Sequence, residues 1–168
     1  MPVMLNPAPA TELDDELLSL VSWLIPNEQE ASMETHLPLR TDAEGPLKSD
    51  LRNIAAKLWD KGVEHIVITL GGHGAVVVKA DGLTYIPCVS MRHVADPTAA
   101  GDSFVGALAV GVTLGLSHAQ ALEFAAYTAA LTVSRMGAMP SLPTLEEVLT
   151  LMRERGCQAP ARLDVLKA

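Results

Sequence analysis

The stretch 3–26, VMLNPAPATELDDELLSLVSWLIP, decides how the rest of the chain is read. Its opening, VMLN (3–6), has the character of a buried strand, and NPAPA (6–10) stops it. Two prolines there remove backbone donors and fix φ in a way that neither a ladder nor a helix continues. From Thr11 to Leu24 the apolar residues recur at helical spacing: Leu13, Leu17, Leu18 and Val21 share a face, with acids in the first turns, where the macrodipole favours them. WLIP (23–26) then reads as a second strand. Strand, helix and strand in that order imply a parallel crossover, and with it an α/β fold with a layered sheet.

Working outward, Asn27 opens a helix through Glu34, and TDAEGP (41–46) is expected to be loop. DLRNIAAKLWDKG (50–62) predicts an amphipathic helix stopped by Gly62, where a left-handed cap is cheapest. HIVITLGGHGAVVVKADGLTYIP (65–87) offers strand, glycine turn, strand, Asp-Gly turn and strand, a hairpin block that adds antiparallel strands. Helices are expected at about 101–114, 117–135 and 144–155, with GAMPSLP (137–143) between the last two. The tail from Cys157 is expected to be loosely held, leaving 1–156 as the folded part.

A length of 168 residues suits one domain of ordinary size. Twelve basic against twenty acidic side chains give a net charge of −8 with no Lys/Arg cluster, which argues against a nucleic-acid groove or an anionic membrane surface as partner. Any anion must therefore be held locally. Cys88 and Cys157 form neither a disulfide framework nor a CxxC metal site, and the start MPVMLNPAPA lacks a signal-peptide pattern. No window has the apolar length of a membrane span, so the chain reads as soluble, with thiols suited to a reducing cytoplasm.

The most informative spacing is ADPTAAGDSFVGAL (95–108). Small residues Ala99, Ala100 and Gly101 directly before an apolar helix let another molecule approach the backbone, and the free amides of a first helical turn are anion donors. Asp102 in the same turn could take a proton from an incoming hydroxyl, a use that makes sense where a bound anion is attacked by an alcohol. The plainer alternative is that Asp102 favours the helix start and the alanines pack. In PNEQEA (26–31), Asn27 followed three residues later by Glu30 is the layout of a capping box; the functional alternative sets Glu30 near a hydrated divalent ion and Asn27 near phosphates. TLGGHG (69–74) is neither a Walker A loop nor a dinucleotide fingerprint, and a tight hairpin turn explains it equally well. His36, His65, His73, His93 and His118 show no metal-ligand spacing and are expected to be solvated or partly packed.

Taken in order, NPAPA (6–10), PNEQEA (26–31), ITLGGHGA (68–75), DPTAAGDSFVGAL (96–108) and SRMGAMPSLP (134–143) resemble the ribokinase branch of the PfkB-type carbohydrate kinases across nearly the whole chain. The resemblance implies a ribokinase-like α/β/α, Rossmann-like core, here matching the later, nucleotide-binding half and lacking on its amino-terminal side the first strands, the small β lid and the sugar-binding Gly-Gly motif. It implies an ATP-dependent kinase acting on the primary hydroxyl of a pentose such as ribose. Carried onto this sequence, Asp102 would be the general base, and the amides of Ala99, Ala100 and Gly101 the anion hole for the transferring phosphoryl group. Asn27 and Glu30 would touch ATP phosphates and Mg²⁺-bound water, while Thr69, Gly71, Gly72 and Gly74 would line the nucleotide cleft. A monovalent cation, K⁺, would be held by the Asp96 side chain, by backbone oxygens of Thr98, Thr132, Arg135 and Gly137, and by the Ser141 hydroxyl. Where such kinases can carry a histidine against the adenine, this chain has Ala126. The truncated sheet surface further implies association, with a second copy or with a separately supplied first half.

Overall fold

The structure, a computed structural model, describes residues 2–167. By its contacts the chain divides into two compact units, Met1–Pro87 and Cys88–Ala168, where its length suggested one domain.

The first unit runs β1 (Met4–Leu5), α1 (Asp15–Leu18), β2 (Trp23–Leu24), α2 (Glu28–Thr35), β3 (Thr41–Asp42), β4 (Gly45–Pro46), α3 (Lys48–Asp60), β5 (His65–Thr69), β6 (Ala75–Lys79) and β7 (Gly82–Ile86). Its main sheet has the order β1-β2-β5-β6-β7. β1, β2 and β5 are parallel, with Met4 opposite Trp23 and Trp23 opposite His65, whereas β6 and β7 return antiparallel. The α/β reading therefore holds, hairpin block included. Residues of one parity, Leu24, Ile66, Ile68, Val76 and Val78, pack with Leu51, Ile54 and Leu58 of α3 and Ala31 of α2 into a fully enclosed core. Truncating one of these leucines to alanine costs about 2–5 kcal/mol.

Two sequence expectations change. The helix expected over 11–24 shrinks to Asp15–Leu18, because the strand ladder captures its second half: Ser22 and Trp23 amides both donate to the Val3 carbonyl at 2.9 Å. Ser19 Oγ, bonded to the Glu16 carbonyl at 2.7 Å, further competes with helix continuation. Leu18 and Val21 are buried as expected, while Leu17 faces water. TDAEGP, expected as loop, is a minimal hairpin in which Thr41 pairs Pro46 and Asp42 pairs Gly45, closed by the Glu44 amide on Asp42 Oδ1 at 2.8 Å. Gly62 does end α3 at φ 97°, and a Cβ there would lie 3.1 Å from Ser19 Cα, so the position excludes side chains twice over.

The second unit is helical: α4 (Ala100–Thr113), α5 (His118–Val133) and α6 (Leu145–Glu154). All three lie within a residue or two of expectation. α4 and α5 meet where Gly111 faces Ala121; a Cβ on Gly111 would sit 2.8 Å from the Ala121 Cβ. The terminal segment is not loosely held. Residues Ala161–Lys167 wind into a 3₁₀ turn, Leu163 is fully buried, and Arg162 Nη1 donates to the Leu114 and Gly115 carbonyls at 3.1 and 2.7 Å. Those carbonyls are orphans of the α4 C-terminus, so a cation there meets both a hydrogen-bonding need and the dipole.

No helix among the described residues is long and apolar enough to cross a membrane.

Candidate active site

In an open α/β sheet, ligands collect at the carboxyl ends of the parallel strands. In the first unit those ends are Asn6 after β1, the Pro26–Asn27 step after β2, and Thr69 closing β5. Thr69 donates its amide to the Pro26 carbonyl at 2.9 Å, and Asn27 and Thr69 form an isolated parallel bridge, so two of the residues assigned to nucleotide stand side by side. Asn27 caps α2. Its Oδ1 accepts from the amides of Gln29 and Glu30 at 2.9 Å each, and Glu30 Oε2 accepts from the Asn27 amide at 2.8 Å. The capping-box reading is thus correct, and it leaves something over: the Asn27 side-chain NH₂ has no partner among the described residues and lies in an exposed residue. One carbonyl oxygen serves the helix while two donors stay available.

The TLGGHG segment is a hairpin turn between β5 and β6, closed by the Leu70 amide on the Gly74 carbonyl at 2.8 Å. Gly71 at φ 52° and Gly74 at φ 91° adopt backbone that side chains resist, and a Cβ at Gly71 or Gly72 would meet nothing within 4 Å. Packing against protein does not explain both glycines at 71 and 72.

The second unit carries the turn before α4. Ala99 sits at φ 62°, the left-handed region, which costs a residue with a Cβ about 1–2 kcal/mol. Such strain persists where the surroundings impose it, and it clusters at functional sites. The anion hole assigned to the amides of 99–101 needs one correction: the Ala100 amide donates to the Pro97 carbonyl at 3.2 Å and is already engaged in the turn. The amides of Ala99, Gly101 and Asp102 have no partner among the described residues, so the free donors extend one residue further into the helix. A Cβ on Gly101 would meet nothing within 4 Å. Asp102 is exposed, and its carboxylate makes no hydrogen bond or ion pair among the described residues. As a first-turn acid Asp102 also suits the helix dipole, and its carboxylate is left available to a ligand.

Asp96 anchors this turn. Its Oδ1 accepts from the Thr98 hydroxyl at 2.6 Å and the Thr98 amide at 2.9 Å, and its Oδ2 from the Gly137 amide at 2.9 Å. The Thr98 hydroxyl, then the Thr98 and Gly137 amides, hold the Asp96 carboxyl below the usual carboxylate range. Of the residues assigned to the cation, Asp96, Thr98 and Gly137 are therefore brought into direct contact. Thr132 and Arg135 lie at the end of α5, joined by the Arg135 amide on the Thr132 carbonyl at 3.2 Å, and the Val133 carbonyl between them accepts from the Ala95 and Asp96 amides. Ser141, fully buried, donates its hydroxyl to the Ala138 carbonyl at 2.6 Å, which leaves its oxygen as an acceptor.

The sequence reading missed several side-chain pairs, one of them at the candidate site. Arg135, assigned only through its carbonyl, grips Glu147 with its guanidinium, Nη2–Oε1 2.6 Å and Nη1–Oε2 3.3 Å. Glu147 also closes the α6 capping box on Thr144, and the Arg135 guanidinium, followed by the Thr144 amide, pulls its carboxyl down to about 2. Thr-x-x-Glu at 144–147 was the available signal. Asp50, buried at the start of α3, takes Nε and Nη2 of Arg40 at 2.9 and 2.7 Å and is likewise held at about 2, by the Arg40 side chain first and its amide second. Buried Glu34 accepts from the Leu13 amide and from Lys61. Burial opposes the Lys61 charge, and Glu34 with Asp15 outweighs it, so Lys61 titrates above its ordinary value. Cys88 and Cys157 are free thiols, and burial, then Glu123, pushes Cys157 up to about 11, far from a nucleophile.

The chain matches the pfkB family carbohydrate kinase over residues 1–145. It is 39% identical over 150 residues to the ribokinase of Schizosaccharomyces pombe, covering 87% of this chain and 45% of that one. It is 37% identical to the ribokinase of Haemophilus influenzae, covering 89% and 47%. Among solved structures, Arabidopsis thaliana ribokinase complexed with ribose and ATP superposes with a TM-score of 0.83 at 33% identity, over 91% of this chain and 48% of that one. The chain thus spans about half the length of these relatives. With the motif order, the mixed sheet built on parallel β1, β2 and β5, and a match running through 145 of its residues, this chain belongs to the pfkB family of carbohydrate kinases.

Proposed function

We propose that this chain takes part in phosphoryl transfer from ATP to the primary hydroxyl of a pentose such as ribose, as the nucleotide-binding and base-bearing part, residues 1–156, of a ribokinase-like domain. The observation that carries the reading is the start of α4. Free amides at Ala99, Gly101 and Asp102, open space beside Gly101 and an unpaired Asp102 carboxylate together suit an anion approached by an alcohol. In such a site the amides would bind the terminal phosphate as its charge redistributes, and Asp102 would take the proton of the attacking hydroxyl. Transfer of this kind depends on alignment and charge stabilisation more than on covalent chemistry.

Asn27, through its spare NH₂, would meet ATP phosphates. Glu30 has one oxygen committed to the cap and a second without a partner among the described residues, an acceptor suited to water on Mg²⁺. Gly71, Gly72 and Gly74 with Thr69 would line the nucleotide. For K⁺ the available donors are all oxygens, a carboxylate, carbonyls at the negative end of α5 and the Ser141 hydroxyl, and that set fits a hard monovalent cation. Mg²⁺ and K⁺ would supply charge neutralisation at the phosphates and beside the amide pocket. The free thiols fit a reducing cytoplasm.

A second reading, nucleotide binding without transfer by these 168 residues alone, is favoured by their coverage of about half of each relative. Calorimetric titration with ATP, Mg²⁺ and K⁺, repeated with ribose, separates the two. ATP binding by the 168 residues is expected in both, and ribose-dependent ADP formation in a ribokinase-length version only in the first; no ATP binding under any of these conditions refutes both.

A further inference from the structure

The residues 134–144 that join α5 to α6 are fastened at two points. In front, the Gly137 amide is held by Asp96, whose other oxygen holds Thr98, the residue before strained Ala99. Behind, Arg135 at the loop entrance is gripped by Glu147, which also accepts from the Thr144 amide at 2.8 Å and hydroxyl at 3.1 Å at the loop exit. Glu147 thus receives donors from both ends of one loop.

The ion pair is 34% exposed on the Arg135 side and 41% on the Glu147 side, and exposed pairs contribute little to stability, with a median of about 0–1 kcal/mol. Its geometry is another matter. A two-point guanidinium–carboxylate contact fixes direction as well as distance. The loop it orients carries the Gly137 amide, and that amide is one of only three donors on Asp96 among the described residues.

Resting on the phosphotransfer reading, we propose that Arg135 and Glu147 are positioning residues: their contact sets the loop so that Gly137 meets Asp96, and through Asp96 it sets the turn 98–102 that would face the phosphate. Neither side chain would touch substrate. The coupling runs from Glu147 to Arg135, along the loop to Gly137, and across to Asp96 and Thr98.

The test separates this role from simple capping of α6. Glu147→Gln keeps an oxygen for the Thr144 amide, as capping boxes allow, and loses the charged contact; Arg135→Met loses the contact from the other side. Thr144→Ala weakens the cap and keeps the contact. Amide resonances of the ligand-free 168-residue chain are compared first. Both contact variants should shift Gly137, Thr98, Gly101 and Asp102, their double variant should shift them no further, and Thr144→Ala should lower thermal stability without moving residues 98–102. In a ribokinase-length version, turnover should then fall by about tenfold to a hundredfold with KM for ATP unchanged. Shifts confined to 133–147, or turnover unchanged in either contact variant, overturn the proposal. If wild-type resonances ignore ATP and Mg²⁺ altogether, the phosphotransfer reading fails, and the ligand-free shifts still decide whether the coupling exists.

Discussion

Gly101→Ala separates a glycine kept for protein packing from one kept for a ligand. Gly101 lies in the first turn of α4, its φ is not in the left-handed region, and an added Cβ would meet no protein atom within 4 Å. On protein grounds alone the substitution should therefore be favourable, since alanine exceeds glycine in a helix by about 0.5–1 kcal/mol. For a chain of this size that corresponds to a rise in Tm of about 1–4 °C. If the Gly101 amide binds the transferring phosphoryl group, a methyl on the same Cα obstructs that approach. Loss of one such donor costs about 10²–10³ in turnover, or about 2.7–4 kcal/mol of transition-state stabilisation. The assay pairs thermal unfolding of the chain with ribose-dependent ADP formation in a ribokinase-length version. The expected signature is a variant that is slightly more stable and far less active. Equal or higher activity alongside the higher Tm would refute the reasoning, because the open space beside Gly101 would then be only solvent.

Asp102→Asn should lower turnover by about 10²–10⁴ while calorimetric ATP affinity stays within a few-fold of wild type; near-normal turnover removes the base assignment. Gly111→Ala should lower stability by about 1–3 kcal/mol, read as a lower urea midpoint, because its Cβ would press on Ala121. The Glu147 carboxyl is depressed from 4.5 to about 2 on folding, so it contributes stability that is fully present above pH 4.5 and lost as pH falls toward 2. Glu147→Gln should therefore narrow the difference between urea midpoints at pH 5 and pH 3; an unchanged difference contradicts a depressed Glu147 carboxyl in solution. Finally, the 168 residues by themselves should form little ADP in the presence of ribose, and robust turnover would assign the whole reaction to them.

Element types were legible wherever a single period dominated. Leu51, Ile54 and Leu58 announce α3, and HIVIT, AVVVK and GLTYI announce three strands separated by turns. Illegible were the places where tertiary contacts overrule a local pattern. The helical spacing of Leu13 to Val21 is real, but the Val3 carbonyl draws Ser22 and Trp23 into a ladder, and sequence spacing carries no information about that partner. At the candidate site, the small residues of 99–101 and the carboxylates Asp96 and Asp102 were visible as residue types. Which amides remain free was not, because it depends on Pro97 accepting from Ala100 and on the left-handed backbone at Ala99. The partnership of Arg135 with Glu147 was half visible in the Thr-x-x-Glu spacing, yet an arginine twelve residues upstream has no local pattern to betray it.

Arg162 gives the far end of the chain a practical weight. It clasps the exit of α4, a helix of 14 residues and so about 21 Å long, whose entrance bears the amide turn. Purification tags or trimming near residues 160–166 would pull at that clasp and at the Leu163 plug beside it. Altered behaviour in such preparations would then report a damaged helix anchor, not a defect in nucleotide chemistry, and handles are better placed elsewhere.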